Sequence, residues 1–477
     1  MVFYISTIIG YLVVLLTLGV YLARRIKSKE DFLVAGRKLT APILVGTLLA
    51  TWIGSGDIFS VSDLSYHHGY SSLIGSAGGW LGIIAVFFIA GKVRRFGQFT
   101  VPDILEARYN KWARLLATIT TIIAYITIVS YQFRGGGWVI NMISDKEISM
   151  ENAMIIMAIF VIVYTLTAGM LSVAYLDIIN GIIIIGGVFL TIPFLIKSGG
   201  GIEAITANLP ARAHPILGNM PLIEAMGYFI PTLLLALGNA NMYQRFFSAK
   251  NEKEAKKSVI GWVVGVILLG IAIQSLAVIG SSISDFKGLP TEESGKIILL
   301  VAHKGVPVVI GCVLLAAIIA IVVSTANSFL LVPATNVMRD IVQRFIKPDI
   351  SDKAMVLGTR VALVILGVLS YLLIGFFPRI LRAAYAAYTI YGAGLTPALI
   401  ATFFWKRATP KAGVISISAG MLVTIEWEIF NKIFGLYPWG IPAVYPALIS
   451  SVLLLILVSY LCSPPAKEKW QPFFKEQ

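Results

Sequence analysis

Charge is what this chain has least of. Only 13% of its 477 residues are Asp, Glu, Lys or Arg, about half the roughly 25% of an average soluble protein. That scarcity excludes a disordered chain and a coiled coil, and it leaves little room for a soluble enzyme. Cysteine is nearly absent. Cys312 and Cys462 each sit in an apolar run, and two lone thiols make neither a disulfide framework nor a metal cluster. The four histidines, His67, His68, His214 and His303, fall in expected loops or at span ends. The sequence therefore offers no convergent nucleophile or metal cluster for an enzyme. Low-complexity segments are lacking, and no loop is long enough for a soluble domain.

What is abundant is apolar sequence, at 57%. Runs of about 20 apolar residues, the length that crosses a bilayer, recur from end to end. Thirteen spans are expected, near 3–23, 42–66, 72–93, 113–142, 152–171, 174–196, 223–246, 258–281, 306–341, 355–377, 380–405, 412–433 and 440–462. The first is too long for a signal-peptide core and lacks a small-residue cleavage site, so it reads as a retained span. The expectation is an all-α integral membrane protein, residues 1–477 forming one transmembrane domain.

The net charge is +14, which could signal nucleic acid. Position decides against it, because the charges sit in short loops and the partner they imply is the lipid bilayer. Lys and Arg concentrate on the cytoplasmic side of membrane proteins. With the N-terminus outside, 28 basic residues fall inside and nine outside, leaving Arg134 within a span. Arg245 counts among the inside-loop residues. The C-terminal tail, 463–477, is then cytoplasmic.

Secondary transporters are often built from inverted repeats with helices broken at mid-membrane. The second span carries Ala50-Thr51-Trp52-Ile53-Gly54-Ser55-Gly56-Asp57. The seventh carries Leu237-Gly238-Asn239-Ala240-Asn241-Met242-Tyr243-Gln244. Glycine lets a backbone leave the helix, and the freed carbonyls must find partners. The two clusters lie five spans apart. That spacing predicts two five-helix halves, 42–171 with 174–196 and then 223–405, flanked by the span at 3–23 and two more within 412–462. The alternative is that each cluster only permits close helix packing.

Charges in hydrocarbon are the second signal. Asp57, Asp63, Arg134 and Asp177 fall within spans, each at a cost of at least ~2.5 kcal/mol on insertion scales. Internal pairing, as of Asp57 with Arg134, is one explanation and function is the other. The ninth span holds Ser324-Thr325-Ala326-Asn327-Ser328. Neutral oxygen ligands of this kind suit a weakly held alkali cation rather than calcium.

These residues resemble the sodium:solute symporter family, the sodium-coupled sugar, proline, sialic acid, pantothenate and choline carriers. The likeness starts at Phe32-Leu33-Val34-Ala35-Gly36-Arg37 and continues through the block at 50–56. Its most specific part is Tyr164-Thr165-Leu166-Thr167-Ala168-Gly169-Met170-Leu171-Ser172-Val173-Ala174-Tyr175-Leu176-Asp177. It departs from the family pattern at Ala168, Ser172 and Leu176. Gln244-Arg245 and Ser324-Thr325 follow. The resemblance implies a LeuT-type inverted-repeat core broken at spans 2 and 7. It implies sodium as coupling ion, held by the carbonyls of Ala50, Ile53 and Ile321 and the hydroxyls of Ser324 and Thr325. Some members hold a second sodium, for which the matching residues are Asp177, Ser324, Asn327 and Ser328.

The solute is expected beside the two breaks. Candidates are Trp52, Ser55, Asp57, Ser60, Ser76, Gln132, Arg134, Asn239, Asn241, Tyr243, Tyr388 and Tyr391. Trp52 matches a tryptophan of the choline branch, but Asn239 stands where that branch has another tryptophan. Arg134 points to a carboxylate, because a guanidinium pairs bidentately with one. The expected solute is small and polar, carboxylate-bearing or zwitterionic, with Asp57 facing its amine. The alternative is an Arg134–Asp57 gate around a neutral polyol. The implied mechanism is sodium-coupled import by alternating access. Its rivals are a proton-coupled carrier, with Asp177 titrating, and a sensor module without transport.

Overall fold

The structure is a computed structural model that describes residues 2–24, 28–167, 169–209 and 216–474. Readings that rest on Arg25, Lys27, Ala168, Arg212, His214 and Lys475 lie outside those residues. Among the described residues, twelve helical runs are long and apolar enough to cross a membrane. The expected second span is not one of them, because it is divided. Its first half is the short apolar helix α2 (Ala41–Trp52). After a π-helical turn at Gly56–Ser60, its second half is α3 (Val61–His68). The chain then turns at Gly69, where φ is 56°, into α4 (Leu73–Phe96).

The remaining spans are α1 (Val2–Ala23), α5 (Lys111–Ile143), α6 (Met150–Thr167) and α7 (Met170–Ser198). The seventh span is also divided, into α8 (Leu222–Gly238) and α9 (Ala240–Ser248). Then come α10 (Glu252–Ser282), α11 (Val308–Asn336), α12 (Asp352–Leu373), α13 (Ile380–Phe404), α14 (Pro410–Phe434) and α15 (Val444–Leu461).

The packing of these helices repeats itself. Helix α2 packs on α7, and its counterpart α8 packs on α13. Helix α2 meets α10, and α8 meets α4. The pairs α5–α6 and α7–α11 have the counterparts α11–α12 and α13–α5. Exchanging the two sets of five spans thus maps each of these contacts onto another. Helix α1 lies outside, against α6, α7 and α11, while α14 and α15 pack on α13 and each other.

Burial follows this plan. The most apolar stretch of α1 is 17% buried, whereas that of the run Val308–Ile346 is 78% buried. The polar string of α11 is therefore central, which is why it can carry hydroxyls without exposing them to lipid. At the end of the bundle away from the N-terminus, Ala35, Gly36 and Arg37 take positive φ in succession. A Cβ on Gly36 would come within 2.8 Å of Asp31 Oδ1, so this motif needs glycine for both backbone and space. Arg37 then donates to the carbonyls of Gly97 (2.8 Å) and Phe247 (3.2 Å), tying α2's approach to the ends of α4 and α9. The tail is not loose: Lys467–Phe474 is helical, and buried Phe473 stacks on Phe96 at 4.8 Å.

Candidate functional site

The first break begins where Ile53 turns extended (φ −72°, ψ 116°) after α2. Asp57 then closes a short loop, its Oδ2 accepting from Gly54 N at 3.0 Å. Ser55 N donates to Gln132 Oε1 at 3.0 Å. The loop is pressed against α5, and a Cβ on Gly135 would lie 2.7 Å from Ser55 Oγ. None of Gly54, Gly56 and Gly238 takes a positive φ. Gly56 and Gly238 serve close approach rather than backbone freedom: a Cβ on Gly56 would lie 2.6 Å from the Tyr388 hydroxyl, and one on Gly238 2.3 Å from Thr396 Oγ1.

Two carbonyls of this break face α11. Thr325 Oγ1 donates to Ile53 O at 2.8 Å. Ser324 Oγ lies 3.0 Å from Ala50 O and 2.6 Å from Asp177 Oδ1. A serine hydroxyl has one proton to give. The charge-assisted bond to the carboxylate is the stronger claim on it. Ser324 Oγ and Ala50 O are then two oxygens 3.0 Å apart with no proton between them, an arrangement a small cation relieves. Of the five residues expected to hold sodium, Ala50, Ile53, Ser324 and Thr325 are thus brought together. Ile321 is fully buried on the same helix, one turn before Ser324 and Thr325.

Of the residues expected at a second sodium site, Asp177, Ser324 and Ser328 lie in one buried cluster. Asp177 Oδ2 accepts from Thr47 Oγ1 at 2.5 Å and lies 3.3 Å from Arg245 Nη2. Ser328 Oγ also accepts from Arg245, at 2.9 Å. Asn327 Oδ1 is buried with no hydrogen-bond partner among the described residues. Arg245 had been counted as a loop residue. It is instead 1% exposed, so Arg134 is not alone among basic residues within the bundle.

A cavity of about 50 Å³ lies beside the first break. Of the expected solute residues, Trp52, Asp57, Ser60, Ser76, Asn239 and Tyr388 line it. Trp80, Tyr131 and Tyr385 line it as well, and the sequence reading did not single them out. The spacing Tyr385-x-x-Tyr388-x-x-Tyr391 was the available signal for Tyr385. Trp52 fits because a Cβ on Gly79 would lie 2.8 Å from its ring. Among the described residues, no ion pair is made by Asp57.

The other expected residues lie elsewhere. Ser55 and Gln132 hold each other behind the break. Arg134 sits one turn along α5 from Tyr131 and donates to the carbonyls of Pro378 (2.5 Å) and Ile374 (2.7 Å). It neither pairs with Asp57 nor lines the cavity. Tyr243 and Tyr391 spend their hydroxyls on the second break, as described below. Asn241 and Asn239 line a narrow cleft that runs from Trp52 to Arg245. On the N-terminal side, Tyr385 separates the cavity from a basin of about 610 Å³. Nearby, Arg379 pairs with Asp63, which also accepts from Ser294 Oγ at 2.5 Å.

The sequence pattern of the sodium:solute symporter family matches residues 32–420. The chain belongs to this family. It is a multi-pass membrane transporter rather than an enzyme, and sodium is its coupling ion. Among its relatives is the human high affinity choline transporter 1, 27% identical, aligned over 96% of this chain and 84% of that one. The osmoregulated proline transporter OpuE of Bacillus subtilis is 23% identical over 97% and 96%. The sodium/glucose cotransporter of Vibrio parahaemolyticus is 24% identical over 94% and 88%. The symporter's fold is similar to that of a sodium-coupled sialic acid symporter in its substrate-bound outward-open state. The TM-score is 0.81, at 19% identity, over 97% of this chain and 98% of that one. It is also similar to Mhp1, a nucleobase-cation-symport-1 transporter, with a TM-score of 0.64 at 9% identity over 93% and 97%. The expected broken-helix, inverted-repeat architecture is therefore the observed one.

Proposed function

We propose that the chain imports a small solute bearing an ammonium group, driven by sodium held between the first break and α11. The observation that carries this is Asp57, a carboxylate lining an aromatic cavity and making no ion pair among the described residues. A charge removed from water needs compensation. Trp52, Trp80, Tyr131, Tyr385 and Tyr388 line the same cavity, and aromatic rings attract a cation over their faces. The carboxylate expectation rested on Arg134, and that guanidinium is engaged with backbone carbonyls away from the cavity. Choline and proline, named for two relatives, both carry a positive nitrogen, which supports this choice over the sugar named for a third.

In this reading sodium is bound by Ala50, Ile53, Ile321, Ser324 and Thr325, and it stabilises the arrangement in which the break and α11 stay together. Coupling then requires that each ligand favour the state competent for the other. Rocking of the core about the site then opens the inner side. The N-terminus lies outside and the C-terminus inside, as the basic loops indicate. The solute enters through the basin beyond Tyr385 and leaves by the cleft toward Arg245. The test is uptake of choline, glycine betaine, proline and glucose into proteoliposomes with and without an inward sodium gradient. Sodium-dependent uptake of one of the amines is expected, and Asp57→Asn should reduce solute affinity at least tenfold. Uptake of glucose with all three amines ignored would overturn the reading.

A further inference from the structure

Past the second break, Asn241 lies in the first turn of α9 and is 2% exposed. Its backbone is pinned: N donates to Asn239 Oδ1 at 2.9 Å, and O accepts from Arg245 Nη1 at 3.1 Å. Its side-chain amide, by contrast, has no hydrogen-bond partner at either atom among the described residues. Trp262 on α10 is 1% exposed, and its Nε1 has no partner among them either. Both residues line the narrow cleft. Trp52 and Asn239 line cavity and cleft alike, so the cleft opens off the solute cavity. The indole of Trp262 is set by that of Trp52, edge to face at a centroid distance of 5.6 Å.

Two buried residues with unspent hydrogen-bonding groups on one cleft point to a polar guest, because such groups are costly away from water unless paired. The other polar residues of the cleft are engaged. Thr51 and Arg245 bond to each other, and Asn239 Oδ1 accepts from Tyr125 and from Asn241 N. A guest therefore meets an indole N–H and a carboxamide. Whichever way the amide is turned, it offers one donor group and one acceptor. A hydroxyl satisfies both, accepting from an N–H and donating to the amide oxygen. A carboxylate only accepts, and would set its lone pairs against that oxygen. Size selects the same group. The cleft holds about 10 Å³, the space of one water-sized group, which a hydroxyl fills and a carboxylate or a sugar ring exceeds.

We propose that this cleft is a subsite for a single hydroxyl and that the solute is an amino alcohol, its ammonium at Asp57 and its hydroxyl held by Trp262 Nε1 and the Asn241 amide. The inference rests on the amine reading of the cavity and names the group at the solute's other end. Trp262 and Asn241 are then specificity-determining residues. A solute with the hydroxyl pairs their groups, and one without it leaves them buried and unpaired. A site built to bond a hydroxyl rejects the analogue that lacks it far more strongly than an apolar pocket rejects a missing methylene. The cleft continues toward Arg245, so the solute meets its inner exit hydroxyl first.

The experiment compares choline with ethyltrimethylammonium, which carries a hydrogen in place of the hydroxyl. Dissociation constants of both, and of glycine betaine, proline and glucose, are measured by calorimetry on the purified full chain in saturating sodium. Wild type should bind choline roughly tenfold or more tighter than the deoxy analogue. Trp262→Phe keeps an aromatic ring and removes the donor. Asn241→Leu keeps the branched shape and removes both polar atoms. In either variant, eluting as a single species on gel filtration, the two constants should come within about threefold of each other through loss of choline affinity. A smaller ratio in wild type would overturn the proposal, and so would a ratio that survives in both folded variants. If neither variant folds, the wild-type ratio still decides. Binding of proline or glycine betaine in preference to choline would overturn the hydroxyl subsite and leave the amine reading standing. Binding of glucose with every amine ignored would instead overturn the amine reading, so the two failures are distinct.

Discussion

The two broken helices occupy matching places in the two repeats, yet they treat their carbonyls in opposite ways. At the first break, Ala50 O and Ile53 O face the movable hydroxyls of Ser324 and Thr325 on α11. At the second, the carbonyls are sealed. Tyr243 donates to Leu237 O at 3.0 Å, Tyr391 to Gly238 O at 2.8 Å, and Thr396 to Leu234 O at 2.7 Å. Asn239 supplies its own cap, its Oδ1 accepting from Asn241 N at 2.9 Å and from Tyr125 at 2.9 Å. Freed backbone groups in a membrane must be satisfied somehow. In the proposed reading the first break shares that task between hydroxyls and an ion, while the second gives it wholly to side-chain donors. Tyr243 and Tyr391, expected beside the solute, give their hydroxyl protons to these carbonyls.

The largest effect that would sharpen this contrast comes from removing both hydroxyls facing the first break. Ser324→Ala with Thr325→Ala should abolish sodium-driven uptake at physiological sodium, with apparent sodium affinity weakened at least 100-fold in transport assays. Asn239→Ala at the second break should weaken solute affinity about tenfold and leave the sodium concentration for half-maximal uptake within about threefold of wild type. Equal sodium effects from the two variants would erase the distinction.

Much of the architecture was legible because it is written in composition. Span length, the polar interruptions five spans apart and the hydroxyl string of α11 are local features, and each fell where expected. What could not be read was depth and long-range pairing. Arg134 shares a helix with the cavity-lining Tyr131, but one turn further along, where it meets the carbonyls of Pro378 and Ile374 instead of the cavity. Arg245 ends an apolar run, so a rule based on loop charge assigns it to the interface. Its partner Asp177 is distant in sequence, and only the fold brings them to 3.3 Å. Tyr385 carried a visible three-residue spacing, but not the information that a ring at that level would divide a cavity from a basin.

A smaller effect separates capping from coordination. Tyr391→Phe keeps the ring and removes the donor to Gly238 O. A buried carbonyl left without its bond costs ~1–3 kcal/mol. Thermal stability in detergent should therefore fall by a few degrees, while apparent sodium affinity stays unchanged. A change in sodium affinity larger than threefold would mean that the second break also contributes to the ion site.

The smallest effect tests the glycines, which look alike in sequence and serve the two breaks differently. A Cβ on Gly238 would lie 2.3 Å from Thr396 Oγ1, a hydroxyl already bonded to Leu234 O. Adding that carbon must break a cap, so Gly238→Ala should lower the melting temperature measurably. A Cβ on Gly54 would lie 3.0 Å from Gln132 Nε2 and 3.1 Å from Thr325 Cγ2. Those neighbours need yield by only a few tenths of an ångström, less than at Gly238. Gly54→Ala should then cost less stability than Gly238→Ala, but it pushes on Thr325, whose hydroxyl belongs to the proposed ion site. The expected result is a modest two- to fivefold loss of sodium affinity with a melting temperature near that of wild type. The opposite assignment, stability lost at Gly54 and sodium affinity lost at Gly238, would show that the two breaks do not divide their tasks in this way.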